Sequence, residues 1–302
     1  MKRDDWRQMD FYTASEDRNT ILIVGCGHVG APLAIGLAYL GVKRITICDM
    51  DYVEAHNLPS QFFSMKLMEN VTDEQKMLKV VALQQTIGML VPDCKIEIIP
   101  TEIQALQGKS FDVIFSCVDD MKAREYIYNQ YKDTGALIID PRTGGEFFNV
   151  LAIDLNNDDA RKFYQKTLYS NEEASPLPCT GTAVADVSLA CAAECIQRYR
   201  SWYKKQLRVM YSSHDMHIGA SAGIMQGYDI IQRNEKVRNQ ILFDDLGKQP
   251  VYDNYGEPVN NVAIAHDQEI DYNGFLDNEE WNNEDHTEQE NVDHYEDTRE
   301  DR

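Results

Sequence analysis

Residues 20–39 decide the fold, and they read TILIVGCGHVGAPLAIGLAY. The run at 20–24 is apolar and mostly β-branched, which favours a buried strand. Gly25, Gly27 and Gly30 follow, and then an apolar helical stretch. A G-x-G-x-x-G segment between a strand and a helix permits a tight turn, and the helix amino end offers N–H donors to phosphate. The stretch therefore predicts a nucleotide-binding βα unit without choosing between NAD, FAD and ATP.

Strand and helix patterns alternate through the following residues. Further strands are predicted at 44–48, 95–99, 111–118, 136–140 and 147–155. Helices are predicted at 72–90, with Thr72 as N-cap, and between the fourth strand and residue 131. Residues 156–178 are polar and turn-rich, and a helix at 183–203 and a strand at 207–212 follow. This order predicts a Rossmann-like α/β fold, with a doubly wound, mainly parallel sheet and helices on both faces.

Composition divides the chain into three parts. We expect an N-terminal extension at 1–17, one α/β domain at 18–240, and an acidic, disordered tail at 241–302. The formal net charge is −21, but residues 267–302 hold fifteen acids and two arginines, a net of −13 that leaves −8 for the rest. Nucleic-acid binding relies on Lys and Arg, so this balance argues against it.

Three further classes of protein are disfavoured by the sequence. No stretch has the apolar length of a membrane span, and the first 20 residues are charged throughout, unlike a secretory signal. The seven cysteines lack the spacing of a small disulfide-linked domain. An odd number of thiols in predicted strands and helices indicates a reducing, cytoplasmic location.

Polar residues follow the predicted strands at positions where ligands bind in doubly wound sheets. Asp49 ends the second strand, where a carboxylate can accept hydrogen bonds from ribose, and Asp119-Asp120 follows a later strand. Lys79 lies on the predicted 72–90 helix. A cation and carboxylates around a polyphosphate with Mg²⁺ fit phosphoryl or adenylyl transfer better than hydride transfer. Singly, Lys79 could be a solvated lysine and the aspartates a helix cap.

The ordered set of motifs resembles the ubiquitin-activating superfamily of ThiF, MoeB and HesA type, over residues 18–205. That family combines G-x-G-x-x-G, D-x-D-x-V-x-x-x-N-L-x-R-Q, a helical Lys thirteen residues before a Pro, and T-D-N-x-x-x-R. This chain has GCGHVG at 25–30, DMDYVEAHNLPSQ at 49–61, a Lys at 79 before a Pro at 92, and VDDMKAR at 118–124. The resemblance identifies 18–240 as an adenylation domain.

The resemblance implies an enzyme that uses ATP and Mg²⁺ to adenylate the C-terminal glycine of a ubiquitin-like protein, as a homodimer. Asp119 would hold Mg²⁺ and Lys79 would neutralise phosphate charge. Asp49 would hold the ribose. The other implied nucleotide-binding residues are Gly25, Gly27, Gly30, Asp51, Asn57, Gln61 and Arg124.

Ser60 departs from the family pattern, which has Arg at this position. The substitution removes a phosphate-contacting cation, for which Lys66, or Arg3 and Arg7 from a dimer partner, are candidates to compensate. Ser60 keeps one alternative open, a ThiF-like scaffold that binds nucleotide without turnover. A second alternative is an NAD-dependent oxidoreductase, against which stand Lys79, Asp119 and the lack of a recognisable substrate domain with a catalytic His.

Cys179 lies just before the 183–203 helix, where the helix dipole favours a thiolate. By resemblance to autophagy-type activating enzymes it is a candidate thioester nucleophile, and the alternative is a buried structural residue. Zinc is not expected, because the paired CxxC motif of the family is missing, and Cys191 and Cys195 are assigned to the core. His214-x-x-His217 is a weak metal motif, and Arg142 either binds the partner's tail or, preferably, braces the sheet. The acidic tail is most simply a solubilising extension, with docking of a basic conjugating-type protein as the alternative.

Overall fold

The sheet is built outward from β1 (Ile21–Val24), whose four residues are all buried. β1 pairs in parallel with β2 (Ile45–Cys48) on one side and with β4 (Val113–Ser116) on the other. A strand hydrogen-bonded on both edges and covered on both faces reads as a continuous apolar run. The computed structural model describes residues 4–69, 71–72, 75–168, 184–217 and 219–225.

The strands form one eight-stranded sheet in the order β3-β2-β1-β4-β5-β6-β7-β8. The first five strands of this order are parallel, and the last three are antiparallel. The remaining strands are β3 (Ile96–Ile99), β5 (Leu137–Gly144), β6 (Phe147–Asp154), β7 (Val209–Asp215) and β8 (Ala220–Met225). The prediction of a Rossmann-like, doubly wound and mainly parallel sheet is confirmed.

Helices cover both faces of the sheet and create two apolar cores. Ile21 and Ile23 of β1 face the first core, which α1 (Gly30–Leu40), α3 (Lys79–Leu90) and α6 (Ala185–Tyr203) cover. Leu22 and Val24 face the second core, under α4 (Met121–Tyr131) and α5 (Asp158–Lys166). Alternate residues of a strand point to opposite faces, so one apolar run supplies both cores. A four-residue helix, α2 (Met65–Met68), precedes α3.

The prediction of a helix at 72–90 with Thr72 as its N-cap is wrong at its start, because the helix, α3, begins at Lys79. Residues 77–79 instead pair with the loop after β2. Val53 N–H donates to Met77 C=O, and Lys79 N–H donates to Asp51 C=O, both at 2.8 Å. Thr72 accepts a hydrogen bond from the Gln75 N–H and closes a local turn. Pairing with a distant loop has overridden the helical preference of residues 75–78.

The stretch 156–178 was predicted to be irregular, but α5 occupies its first part. Asn157 caps α5 by accepting from the N–H groups of Asp159 and Ala160. Ala160 and Tyr164, four residues apart, are the buried side chains of this otherwise polar helix. β8 was also missed. Residues 169–183 and everything after 225, including the acidic tail, lie outside the described residues.

The segment before residue 18 packs against α6. Tyr12 and Tyr199 are both buried, and their hydroxyls donate to the same oxygen of Asp17. Asn19 donates to the other oxygen through its backbone and side-chain amides. Burial raises the pKa of both tyrosines, so they remain hydroxyl donors at physiological pH. This carboxylate therefore joins the N-terminal segment to the central helix of the first core.

Candidate functional site

The glycine turn lies where the carboxyl ends of β1, β2 and β4 meet. Val24 is in register with Cys48 and Ser116, so the residues that follow the three strands are neighbours. Gly25 has a φ of 91°, and a Cβ there would lie 2.3 Å from the Cys117 carbonyl oxygen. A Cβ on Gly30 would lie 1.9 Å from the carbonyl oxygen of Gly25. These two glycines are required for the turn to close.

Gly27 has a different surrounding. A Cβ at Gly27 would meet only the side-chain amide of Gln61, at 3.8 Å. The Oε1 atom of Gln61 is buried and has no hydrogen-bond partner among the described residues. A buried amide oxygen without a partner is unusual in a folded protein. Space at Gly27 and an unsatisfied amide oxygen beside it fit a site for a polar ligand, and a phosphate would be bound through the Nε2 donor once the amide is turned over.

The two kinds of glycine give a testable contrast. Gly30→Ala is expected to destabilise the protein by about 1–3 kcal/mol, because the new methyl group overlaps backbone that cannot move freely. Gly88→Ala is the matched control, since it lies exposed in α3 with nothing within 4 Å of the added Cβ. It is expected to stabilise the protein by about 0.5–1 kcal/mol. Urea unfolding of the two variants tests this. Equal free energies of unfolding would contradict it.

Asp49 holds the glycine turn from the end of β2. One carboxylate oxygen accepts from the Cys26 N–H at 2.6 Å, and the other accepts from the Asp51 N–H at 2.8 Å. Burial raises the pKa of Asp49, while these two N–H donors and the charge of Lys79 oppose the rise. The residue predicted to bind ribose thus also fixes the turn beside it. Each oxygen can still accept a second hydrogen bond.

Lys79 is the first residue of α3. Its ammonium lies 2.9 Å from Asp51 Oδ2, and its side chain is 12% exposed, against 57% for Asp51. A cation at a helix amino end is disfavoured by the helix dipole, so this position needs a nearby negative charge. Asp51 supplies one such charge in the structure. The ammonium is placed to attract a further anion at the same edge of the sheet.

Asn57 shapes the loop between β2 and α2. Its side-chain oxygen accepts from the Glu54 N–H at 3.0 Å, and its backbone carbonyl accepts from the Gln61 N–H at 3.0 Å. Asn57 is buried. It therefore holds the turn that carries Gln61 to Gly27, which is a supporting role rather than a demonstrated phosphate contact.

Asp119 and Asp120 take different positions after β4. Asp119 is exposed. Asp120 is the N-cap of α4 and accepts from the Ala123 N–H at 3.0 Å, which agrees with the alternative prediction of a helix cap. Asp119 stands two residues after Cys117, whose carbonyl touches the glycine turn. Asp119 is therefore the carboxylate of the pair that is available at the edge with the turn.

Arg124 does not take the position expected of a nucleotide ligand. Its side chain is 6% exposed and lies 3.3 Å from Asp140, which is fully buried. It donates to the carbonyl oxygens of Val118 at 2.6 Å and Pro141 at 3.3 Å. These contacts favour a structural role of Arg124 over the predicted contact with the nucleotide.

Ser60, where the family pattern has Arg, is buried beside α6. Ser188 of α6 donates its hydroxyl to the carbonyl oxygen of His28, and it also lies 3.5 Å from the carbonyl oxygen of Ser60. Burial lowers the pKa of His28 from 6.5, and the Ser60 backbone partly opposes this. His28 and Ser188 were missed by the sequence reasoning. The histidine inside GCGHVG was the available signal.

The shift at His28 predicts a pH dependence of stability. A lowered pKa means that the unfolded chain binds more protons than the folded chain as the pH falls through 6.5, so acidification destabilises the fold. Wild-type protein should lose more free energy of unfolding between pH 7 and pH 5 than His28→Gln, which cannot titrate. Urea unfolding at both pH values measures this. Equal losses in the two proteins would refute the assignment.

Three of the remaining candidate residues lie in the core or stabilise the sheet. Cys191 and Cys195 are buried in the first core, as predicted. Arg142 braces the sheet by binding Asp140 at 2.8 Å and the carbonyl of Thr167 at 3.0 Å. No group of three or more metal-ligating side chains occurs among the described residues. Cys179 lies outside those residues.

The two histidines of the weak metal motif, His214 and His217, contact different residues. His214 stacks on Phe148 with ring centroids 4.6 Å apart and lies 2.8 Å from the hydroxyl of Ser221. His217 instead lies 3.0 Å from a carboxylate oxygen of Glu146. The pair therefore has separate partners at the edge of the sheet.

The sequence matches the ThiF family over residues 13–218. The chain belongs to the ThiF family. None of the described helices is long and apolar enough to cross a membrane.

Curated relatives of this ThiF-family chain are activating enzymes and adenylyltransferases. It is 32% identical over 134 residues to adenylyltransferase and sulfurtransferase MOCS3 of Aedes aegypti, which covers 42% of this chain and 28% of that protein. It is 28% identical over 134 residues to ubiquitin-like modifier-activating enzyme 5 of Gallus gallus, a match that covers 39% of this chain and 32% of that protein. SUMO-activating enzyme subunit uba-2 of Caenorhabditis elegans is 24% identical over 141 residues, a match that covers 45% of this chain and 23% of that protein. The chain thus matches a third or less of each relative's length.

Solved structures support the fold. E. coli MccB superposes with a TM-score of 0.55 at 13% identity, covering 76% of this chain and 71% of that one. MccB with AMPCPP and MccA gives 0.54 at 14% identity, covering 71% and 65%. PaaA gives 0.52 at 16% identity, covering 69% and 64%. Such identities show a shared Rossmann-like fold and no more.

Proposed function

We propose that this ThiF-family chain is a MgATP-dependent adenylyltransferase that activates the C-terminal glycine of a ubiquitin-like protein. One observation carries the proposal. A half-buried lysine begins α3 beside Asp51, and its charge acts on Asp49 at the glycine turn. A dehydrogenase also uses the turn and the acid, but hydride transfer builds up no new negative charge on the phosphates. Adenylyl transfer does, and a cation beside the phosphates stabilises that charge.

The described residues divide the binding of ATP among them. The turn from Gly25 to Gly30 and the amino end of α1 offer N–H donors to phosphate. Asp49 accepts from the ribose hydroxyls, and Lys79 balances phosphate charge. The side-chain amide of Gln61 donates to phosphate through Nε2, because its oxygen and nitrogen can exchange places by a turn of the amide. Asp119 would hold Mg²⁺, whose charge stabilises the pyrophosphate leaving group.

The reaction then needs mainly positioning and charge stabilisation. A carboxylate oxygen of the C-terminal glycine attacks the α-phosphorus of ATP. A new acyl–oxygen–phosphorus linkage forms, and the bond from the α-phosphorus to the bridging oxygen breaks as pyrophosphate leaves. Lys79 opposes the negative charge that accumulates on the phosphates during this exchange. The products are an acyl-adenylate and pyrophosphate.

A second step on Cys179 is part of the proposal. The Cys179 thiolate would attack the acyl carbon, forming a thioester as AMP leaves with the electrons of the broken acyl–oxygen bond. Cys179→Ser should abolish a conjugate that is cleaved by thiol reagents, because an oxyester resists them. A thiol-sensitive conjugate in this variant would remove Cys179 from the mechanism.

The names of relatives support the substrate class, while the homodimer and the location rest on the resemblance of the sequence motifs and on composition. Two relatives are named for ubiquitin-like modifier or SUMO activation, while the MccB structure contains MccA. We propose a ubiquitin-like protein as substrate, a homodimer as the assembly and the cytoplasm as the location. A basic conjugating-type protein is the proposed partner of the acidic tail.

A nucleotide-binding scaffold without turnover is the second candidate, and Ser60 is the observation that favours it. A serine carries no charge, and Ser60 is buried beside Ser188. This position therefore supplies none of the phosphate-binding charge that an arginine would. Such a scaffold would bind MgATP as the enzyme does but would not exchange pyrophosphate into ATP.

Paired aspartate variants test the proposed enzyme. Asp119→Asn should lower ATP–pyrophosphate exchange by about 10²-fold, since a ligand to the stabilising charge is lost. Asp120→Asn is the matched control, because Asn is as good an N-cap as Asp and should keep both fold and exchange. Exchange that survives Asp119→Asn unchanged would refute the role of Asp119 in adenylation.

A further inference from the structure

The ladder between β4 and β5 ends before the two strands reach the candidate site. The last paired residues are Phe115 and Ile139. Beyond them β5 continues to pair with β6 as far as Gly144, while the chain after β4 turns into α4. The backbone that carries Asp119 therefore leaves the sheet without a strand partner on the β5 side.

Arg124 fills this gap. One of its terminal nitrogens donates to the Val118 carbonyl at 2.6 Å, and the other donates to the Pro141 carbonyl at 3.3 Å. Val118 directly precedes Asp119. The guanidinium thus joins the two chains where strand hydrogen bonds have ended. A planar fork can reach two separated carbonyl oxygens, which a lysine ammonium on a flexible stem cannot do in the same way.

Asp140 is the charge partner of the guanidinium, through an ion pair without a hydrogen bond. It is fully buried and lies 3.3 Å from Arg124 Nε. Its other oxygen accepts from Arg142 at 2.8 Å and from the Tyr164 hydroxyl at 3.0 Å. A buried carboxylate held by several donors stays in one orientation, and so does the arginine paired with it.

We propose that Arg124 is a positioning residue that sets the backbone at Val118 and so places Asp119 for the metal–nucleotide complex. The inference rests on the proposed function, because Asp119 is given its metal role there. It assigns Arg124 a role in the site without contact to the nucleotide. Outer residues that orient a metal ligand commonly change metal affinity by about 10–100-fold when replaced.

Arg142 provides the matched control. It binds the same buried Asp140, yet its remaining donors go to the carbonyl and hydroxyl of Thr167 and not to Val118. Arg124→Gln and Arg142→Gln each remove one cation from Asp140, so both should lower the melting temperature. Only Arg124→Gln also frees the backbone before Asp119.

Hydrogen exchange of the ligand-free protein tests the placement itself. Peptides covering residues 117–120 should exchange at least about tenfold faster in Arg124→Gln than in wild type and stay near wild type in Arg142→Gln. Arg124→Lys, a milder change if Arg124→Gln folds poorly, should give an intermediate rate. Equal exchange in all four proteins would overturn the proposal, whether or not the protein is an adenylyltransferase.

Calorimetric titration with ATP then tests the consequence at the site. Arg124→Gln should weaken binding of MgATP by about tenfold or more and leave binding of ATP in EDTA unchanged, and Arg142→Gln should change neither. Equal weakening with and without Mg²⁺ would mean that Arg124 contacts the nucleotide, and unchanged binding in Arg124→Gln would mean a purely structural role. Either result overturns the proposal. Failure of wild type to bind MgATP would instead refute the proposed function.

Discussion

Lys79→Ala lowers ATP–pyrophosphate exchange by about 10²–10³-fold, the largest effect that we expect from one substitution in the site. The ammonium is the described cation that pairs with Asp51 and acts on Asp49 at the glycine turn. Without it, the growing charge on the phosphates is balanced only by N–H donors and the metal. Initial rates of exchange at saturating ATP and substrate measure the loss.

The neighbouring Lys76 gives the control for this experiment. Lys76 is exposed and lies before α3, so Lys76→Ala removes the same formal charge from the same part of the surface. It should leave exchange within about twofold of wild type, since charges exposed to water are strongly screened. A similar loss in both variants would mean that net charge, and not the placement of Lys79, is responsible.

Asp17→Ala should destabilise the protein by about 3–5 kcal/mol, the largest effect that we expect on stability. The hydroxyls of Tyr12 and Tyr199 would both lose their acceptor inside the protein, and each orphaned buried group costs about 1–3 kcal/mol. The turn at Asn19 would lose its cap as well. The free energy of unfolding in urea, followed by circular dichroism, measures the change.

Tyr203→Phe is the matched control for the N-terminal contact. Tyr203 also lies on α6, with its ring 5.1 Å from that of Tyr12, but its hydroxyl makes only a 3.4 Å bond to the Thr13 carbonyl. This variant should change stability by less than about 1 kcal/mol. If Asp17→Ala were equally mild, the buried carboxylate would not be what joins the segment to α6.

Local patterns were enough to predict the parallel part of the fold. The apolar runs that became β1, β2 and β4 are buried on both faces, so their composition marks them without any knowledge of neighbours. The helix after the glycine turn is equally marked. These elements bring Gly25, Asp49 and Asp119 to one edge of the sheet, as strand order in doubly wound folds requires.

The start of α3 could not be predicted in this way. Thr72 and the acids after it have the composition of a helix start, but residues 77–79 pair with the loop at 51–53. That pairing depends on the loop that carries Asp51 and lies far away in sequence. It also places Lys79 at the first position of the helix, which gives the lysine its unusual electrostatic surroundings.

Arg124 shows the limit for the site. Its position in VDDMKAR suggested a phosphate ligand, since a sequence shows the charge of a residue and not the direction of its side chain. The partner that turns it inward is Asp140, sixteen residues later on strand β5. The signal available in the sequence was Asp140 within β5, followed two residues later by a second arginine.

The most direct test of adenylation is pyrophosphate exchange measured with one ubiquitin-like protein in two forms, one ending in a free glycine carboxylate and one with that carboxyl amidated. The account predicts exchange of labelled pyrophosphate into ATP only with the free carboxylate, and about 10²–10³-fold less of it in Lys79→Ala. Exchange that ignores the amidation, or no exchange with any glycine-terminated protein despite tight MgATP binding, would contradict it.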